Sequence, residues 1–311
     1  MTSARVLVVG ESVLDIVRRS GAADETAPGG SPANVAVGLA RLGTETTLLT
    51  QLADDDAGAM IAQHLAGAGV VLAADPSVEA TPTAIATLDE AGAATYEFRI
   101  AWTLGSDAAA RAMKVAASHV HVGSLGALVD PGATAVRAAV TATQGSATVS
   151  FDPNIRPELV PSMDHAREAV EWYVARADVV KASDEDVAAI YPDRDPVEVA
   201  DAWSRRGPAF VALTRGGEGS VLVRRGERIS VDARPAEVVD TVGAGDSFMS
   251  ALIDGLRRLD LLGDAAALRS TALGSLVAVA ERAATAAAMT VSRRGAEPPT
   301  SVMLDGVPVR R

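Results

Sequence analysis

Short apolar runs alternate along this chain with longer stretches in which apolar positions recur at helical spacing. Arg5–Val9 is an apolar run stopped by Gly10, which predicts a buried strand. Ser12–Ser20 is a second extended run, and Gly21–Gly30 is polar and turn-rich. Ser31-Pro32 opens a helix, with Ser as its cap and Pro at the first position. Val35, Leu39 and Leu42 share one face of that helix, which runs over 33–42 and stops at Gly43. A strand over Thr46–Leu52 and a helix over Ala57–Ala68 follow. From Thr83 to Ile100 the period changes to alternation about Ala91-Gly92, predicting a hairpin. The α/β rhythm then returns. Strands are expected at His119–Val122, Ala147–Phe151, Asp178–Lys181 and Ala209–Thr214, and helices at Pro131–Ala142, Asp164–Ala175 and Pro196–Arg205. A second hairpin, Ser220–Val223 with Arg228–Val231, turns at Arg225-Gly226. Two Ala-rich helices close the chain, the second (Asp264–Ala288) broken, before a tail containing Pro298-Pro299.

Strands alternating with helices imply an α/β fold with a doubly wound, mostly parallel sheet covered on both faces. Ligands in such sheets bind beyond the carboxyl ends of the strands. Gly10-Glu11, Gly123-Ser124, Asp152-Pro153-Asn154, Ser183 and Gly216 all stand just after expected strands. The runs at Ser12–Ser20 and Thr83–Ile100 fall outside the rhythm and suit a small side sheet over the same edge, a lid. With no repeat or low-complexity linker, a single domain over 1–311 is expected, with lid segments at about 11–28 and 80–105.

Composition narrows the partners. The 311 residues are 48% hydrophobic and 22% charged, as in an ordinary globular chain, and the net charge of −12 argues against nucleic acid or an anionic membrane. Without cysteine there is no disulfide, catalytic thiolate or Cys-ligated zinc. His119 and His121 point the same way from one strand, but no third ligand stands near and a metal is not expected there. The first apolar run is too short for a signal peptide, and no run of about eighteen apolar residues could span a bilayer. A cytoplasmic protein is expected.

The chemistry centres on Gly243-Ala244-Gly245-Asp246, with a helix after it marked by Phe248, Leu252, Gly255, Leu256 and Leu259. The free N–H groups of a helix's first turn and its dipole form an anion site. Asp246 there reads either as a helix cap or as a general base beside that site. Neither lysine (Lys114, Lys181) follows a Gly-rich loop, so a P-loop is absent. The first strand lacks the dinucleotide-binding glycine fingerprint, and no Gly-x-Ser-x-Gly elbow occurs.

Two distant motifs remain. Gly29-Gly30-Ser31-Pro32-Ala33-Asn34-Val35-Ala36, with Leu39-Ala40-Arg41-Leu42-Gly43, resembles the first signature of the PfkB, or ribokinase-like, carbohydrate kinases. Asp240-Thr241-Val242-Gly243-Ala244-Gly245-Asp246-Ser247-Phe248 resembles the second. The resemblance covers essentially the whole chain and implies a three-layer α/β/α fold with a small β-sheet lid. It implies an ATP- and magnesium-dependent sugar kinase in which Asp246 is the catalytic base, while the backbone of Gly243, Ala244, Gly245 and Asp246 holds the transferred phosphoryl charge. On the sugar side it implies Asp15, Gly29, Gly30 and Asn34; Arg99 either reaches in from the lid or stays solvated. On the nucleotide side, Thr214-Arg215-Gly216-Gly217-Glu218-Gly219 resembles the family's T-x-G-x-x-G stretch, pointing to Thr214, Gly216 and Gly219. Lys181-Ala182-Ser183-Asp184-Glu185-Asp186 stands at the N-x-x-E motif with Ser183 for Asn and Asp186 for Glu. That departure leaves Asp186, acting through metal-bound water, and Glu185 as rivals for the magnesium site. Asp240 orders the anion hole or sits by a monovalent cation (K+), as in some relatives.

Phe151-Asp152-Pro153-Asn154-Ile155-Arg156-Pro157 resembles the D-x-N-x-R stretch of fructokinases and 2-keto-3-deoxygluconate kinases, with Asn154 and Arg156 facing substrate. The resemblance favours fructose, then 2-keto-3-deoxygluconate, ahead of ribose or a nucleoside. A sugar-binding regulator that has lost phosphotransfer is the alternative from another class. Relatives often pair through the lid, so a homodimer is expected.

Overall fold

The structure is a computed structural model that describes residues 4–19, 21–76, 78–88 and 94–306. In chain order its elements are β1 (Arg5–Val9), β2 (Val13–Arg19), β3 (Glu25–Gly29), α1 (Ser31–Arg41), β4 (Glu45–Gln51), α2 (Asp56–Gly67), β5 (Val71–Asp75), β6 (Thr83–Leu88) and β7 (Ala94–Arg99). Next come α3 (Ala108–Val115), β8 (His119–Gly123), α4 (Ser124–Leu128), α5 (Gly132–Thr143), β9 (Thr148–Asp152), α6 (Met163–Val174), β10 (Val179–Ser183), α7 (Asp184–Ile190) and α8 (Pro196–Ser204). The chain continues with β11 (Phe210–Thr214), β12 (Ser220–Arg224), β13 (Glu227–Val231), α9 (Ala244–Arg258), α10 (Ala265–Ser270), α11 (Val277–Val291) and α12 (Ser301–Asp305).

The large sheet runs β13-β12-β11-β10-β9-β8-β1-β4-β5. From β11 to β5 all neighbours are parallel; β12 and β13 add an antiparallel edge. β1 shows why both faces must be covered. Val6 and Val8 pack into one core with α1, α9 and α11, whereas Leu7 and Val9 pack into a second core built largely from α3 to α8. Strict alternation between two buried faces leaves no polar side to the strand, hence its continuous apolar run. The chain reverses winding around β1, whose neighbours β4 and β8 lie far from it in sequence, and this places the end of β1 at a crevice of the kind that receives ligands.

β3-β2-β6-β7 form the small sheet expected from the two irregular runs. It is mixed: β2 pairs parallel with β6, and the outer pairs are antiparallel. The predicted turn at Ala91-Gly92 lies outside the described residues. Several elements went unread. β3 (ETAPG) carries Pro and Gly and no alternation, so 21–30 read as a turn, yet it pairs along β2 from Val13↔Gly29 to Val17↔Glu25. β5, α3, α4, α7 and α12 are short or Ala-rich and present no complete apolar period. The expected break in the last Ala-rich stretch is a 3-10 turn at Leu273–Leu276, which divides α10 from α11.

α1 and α9 lie in contact because Gly38 leaves room: a Cβ there would stand 2.4 Å from Ser250 Oγ and 2.7 Å from Ser250 Cβ. This contact sets how near the start of α1 comes to the start of α9. Gly38→Val should destabilise the protein by about 1–3 kcal/mol through overpacking and lower kcat several-fold. Urea unfolding and turnover per folded molecule check both; unchanged stability would show the helices can part freely.

Candidate active site

α9 starts on Gly243, whose φ of 76° is left-handed and suits glycine, and a Cβ there would lie 2.5 Å from that of Ala296. The N–H groups of Gly245 and Asp246 meet no protein acceptor among the described residues, while Ala244 N–H reaches back to Thr241 O at 3.3 Å. Two unclaimed donors at the start of a 15-residue helix make an anion seat.

The two readings of Asp246 now separate. No side chain caps α9, so Asp246 is not spent on its own helix. Its Oδ1 accepts from Ser31 Oγ at 2.6 Å and its Oδ2 from Asn34 Nδ2 at 2.8 Å. The carboxylate is buried, oriented from both sides by α1, and beside the anion seat. Ser31 was expected to cap α1, but Gly30 occupies the N-cap position without a side-chain bond. The Ser31 hydroxyl is therefore available to Asp246. Asn34, expected to meet sugar, holds Asp246 here.

Gly29 and Gly30 are places of close approach. A Cβ on Gly29 would lie 2.3 Å from Asp15 Oδ2, and one on Gly30 (φ 96°) 2.8 Å from the Glu11 carbonyl. Burial pushes the half-buried Asp15 carboxyl up to about 6. Asp15, Gly29, Gly30, Asn34 and Asp246 are thus linked through successive contacts. Arg99 is not drawn in: it is exposed at the end of β7 and paired with Glu97 at 2.7 Å.

Glu11 went unassigned in the sequence, where a carboxylate after β1 was the only signal. It is buried, and its Oε2 accepts the Gly126 N–H at 2.7 Å. Burial raises its carboxyl to about 7, opposed by bonds from Ser124 and Gly126 and reinforced by the charge of Asp246. Ser124 and Asn154, at the ends of β8 and β9, both adopt positive φ (53° and 38°), and Asn154 Nδ2 reaches Ser124 Oγ at 3.4 Å. Two non-glycine residues in that region at neighbouring strand ends are strain of the kind found at ligand sites. Arg156 is exposed, donates to the Ile155 carbonyl at 3.1 Å, and has no ion-pair partner among the described residues.

Lys181 sits beneath the anion seat, its Nζ 2.9 Å from where a Gly245 Cβ would stand. It pairs at 2.7 Å with Asp152, the first residue of the D-x-N-x-R stretch, whose role the sequence left open. Both are buried. Burial alone would strip the lysine of its proton, but the surrounding charges of Asp152, Asp186 and Asp246 prevail and hold its pKa above the usual range. Burial likewise raises the Asp152 carboxyl to about 7, against the pull of Lys181 and with the push of Asp186 and Asp246. On the same sheet face His119 and His121 share Ser150, and burial lowers both to about 3, so they are neutral at physiological pH.

Asp186 has a structural task. Its Oδ2 accepts the Ser183 N–H and O–H and its Oδ1 the Ile155 N–H, forming the capping box of α7 and tying it to 154–156. Glu185 is exposed. No cluster of three or more acidic, His or Cys residues suited to a metal occurs among the described residues. Thr214 Oγ1 donates to the Ala182 carbonyl at 3.3 Å, and Gly216 and Gly219 shape the turn into β12 with φ of 49° and 88°. Asp240 accepts from Val242 N–H at 3.0 Å and Gly295 N–H at 2.8 Å, fastening the approach to Gly243 onto 295.

Because folding raises the Glu11 pKa, its contribution runs against stability as pH increases. The folded state holds the proton more tightly, so stability declines between about 4.5 and 7 and stays lower above. Glu11→Gln removes this dependence while keeping an acceptor for Gly126. The melting temperature of the variant relative to wild type should rise by about 5 °C from pH 5 to pH 8. A difference independent of pH would contradict the assignment.

The model of the pfkB family carbohydrate kinases matches residues 3–302. Fructokinase from Klebsiella pneumoniae is 31% identical over 296 residues, covering 91% of this chain and 96% of that protein. Fructokinase from Escherichia coli is also 31% identical, over 311 residues covering 89% and 96%. Among solved structures, a double mutant of Vibrio cholerae O395 fructokinase with fructose, ADP and potassium bound superposes with a TM-score of 0.80 at 25% identity, covering 97% of both chains. A sugar kinase from Pyrococcus horikoshii in complex with ATP superposes at 0.78 with 25% identity, covering 96% of both. With both signatures meeting at one site and the match spanning nearly every residue, this chain belongs to the pfkB family of carbohydrate kinases, the sugar phosphotransferases.

Proposed function

We propose that this kinase transfers the γ-phosphoryl group of ATP to fructose, giving fructose 6-phosphate. The observation that carries the reading is the Asp246 carboxylate, held by Ser31 and Asn34 beside two unclaimed backbone donors. A hydroxyl placed against Asp246 loses its proton to the carboxylate as its oxygen attacks. Charge growing on the phosphoryl oxygens meets the N–H groups of Gly245 and Asp246 and the first turn of α9, already in place before reaction. The similarity to proteins named fructokinase, at 31% identity, supports fructose as the acceptor.

Sugar lies along Asp15, Gly29, Gly30 and Asn34 on one side and Asn154 on the other. The small sheet acts as a lid, and its closure brings in Arg99 and excludes water. ATP runs along Ser183, Thr214, Gly216 and Gly219, with Lys181 beneath its terminal phosphate. Magnesium would supply charge neutralisation on the phosphates while keeping much of its water shell. Asp186, through such a water, or its rival Glu185 would hold it. Asp240, fastened to 295, orders a loop suited to potassium. The enzyme works in the cytoplasm as a homodimer paired through the small sheets; no helix among the described residues is long and apolar enough to cross a membrane. Arg156, exposed and without an ion-pair partner among the described residues, favours 2-keto-3-deoxygluconate, an acidic sugar, as the second acceptor to test.

ATP consumption across a panel of fructose, 2-keto-3-deoxygluconate, ribose and adenosine should be highest with fructose. Asp246→Asn should lower kcat by about 10²–10⁴-fold with the fold intact. Turnover of another sugar alone would move the acceptor; near-normal turnover in Asp246→Asn would remove the base. Sugar binding without turnover in the wild type would mean a regulator.

A further inference from the structure

Two buried carboxylates of the main sheet serve the fold by taking backbone donors: Asp186 takes the N–H groups of Ser183 and Ile155, and Asp178 takes that of Val149. A third buried carboxylate, Asp254, is matched on both oxygens by the side chains of Thr44, Arg257 and Arg258. Asp152, 1% exposed at the end of β9, is not matched in either way. Among the described residues its Oδ2 accepts from Lys181 Nζ alone, and its Oδ1 has no partner. An unmatched buried acceptor costs about 1–3 kcal/mol, so fold stability does not account for this carboxylate.

Lys181 is the complement. An ammonium has three donors, and Asp152 is its one hydrogen-bond partner among the described residues. The remaining donors belong to a nitrogen that lies beside Gly245, beneath the anion seat. At 4% exposure the lysine keeps its charge only by virtue of carboxylates around it. Of these, Asp246 is bound by Ser31 and Asn34 and Asp186 by the α7 capping box. Asp152 is the carboxylate in contact with it.

We propose that Asp152 is a positioning residue for phosphoryl transfer: it fixes the Lys181 ammonium beneath Gly245, with donors left for the transferred phosphoryl group. The inference rests on assigning Gly243–Asp246 as the phosphoryl site, and it makes Asp152 act entirely through Lys181. A carboxylate that merely supported the sheet would act on stability, whether or not the lysine were present.

A double-mutant cycle separates the two. kcat, the KM values for ATP and sugar, and melting temperature are measured for wild type, Asp152→Asn, Lys181→Met and the double variant, with activity expressed per folded molecule. Each single change should lower kcat by about 100-fold with little change in sugar KM. The double variant should match Lys181→Met within about twofold, and Asp152→Glu should recover much of the rate. Losses that multiply, or an Asp152→Asn protein with normal kcat and only a lower melting temperature, would overturn the proposal. If Asp152→Asn fails to fold around its unpaired lysine, Lys181→Met and the double variant still decide, since neither buries that cation; a further drop in the double variant overturns it. Near-normal turnover in Asp246→Asn would instead displace the site assignment, leaving the cycle itself interpretable.

Discussion

The site turns on how much negative charge one cation and one helix end can hold together. Glu11, Asp152, Asp186 and Asp246 are all buried near the carboxyl ends of β1, β9 and β10 and the start of α9. A nucleotide would add several more charges. Desolvation makes each such carboxylate costly unless its charge is matched. The matching is local in each case: Lys181 for Asp152, a capping box for Asp186, two α1 donors for Asp246, a backbone N–H for Glu11. Lys181 alone supplies a full positive charge in direct contact, which ties the chemistry of the turn to the packing of the strand below it.

That arrangement explains why α1 and α9 must approach so closely. Asp246 belongs to α9, but both groups that orient it belong to α1, more than two hundred residues earlier in the chain. The helices can close to this distance because Gly38 meets Ser250 without a side chain. The orientation of Asp246 is therefore a product of helix packing rather than of the glycine turn alone. Positioning groups on packed elements gives tighter control than loops do.

The sequence made much of this visible because glycines and motif residues mark backbone geometry directly. Gly243 and Gly245 announced a turn, and Gly29-Gly30 with Ser31-Pro32 announced a helix start. What stayed hidden depended on partners brought in by folding. Ser31 reads as a cap until Gly30 is seen in that position. Asp152 reads as the first residue of a D-x-N-x-R stretch with no task of its own until burial and Lys181 give it a charge problem. Glu11 acquires its raised pKa from burial in the folded chain, which outweighs the opposing bond from Gly126, and a Cβ at 126 would lie 2.9 Å from Glu11 Oε2. β3 escaped because its pairing with β2 owes nothing to apolar alternation.

Gly126 also links regions that local sequence keeps apart. Its N–H donates to Glu11, while its carbonyl accepts from Trp102 Nε1 at 3.0 Å. Trp102 is buried in the segment returning from β7 to the main domain, where Gln51 also bonds Thr103 and the Ala101 carbonyl. The small sheet is thus anchored on its return side to the same residue that steadies a carboxylate next to Asp246. Any tilt of that sheet carried through Trp102 would act on Gly126, and through it on the hydrogen bond that offsets the buried charge of Glu11. The physical consequence is that the return from the small sheet and the electrostatics beside Asp246 share one residue.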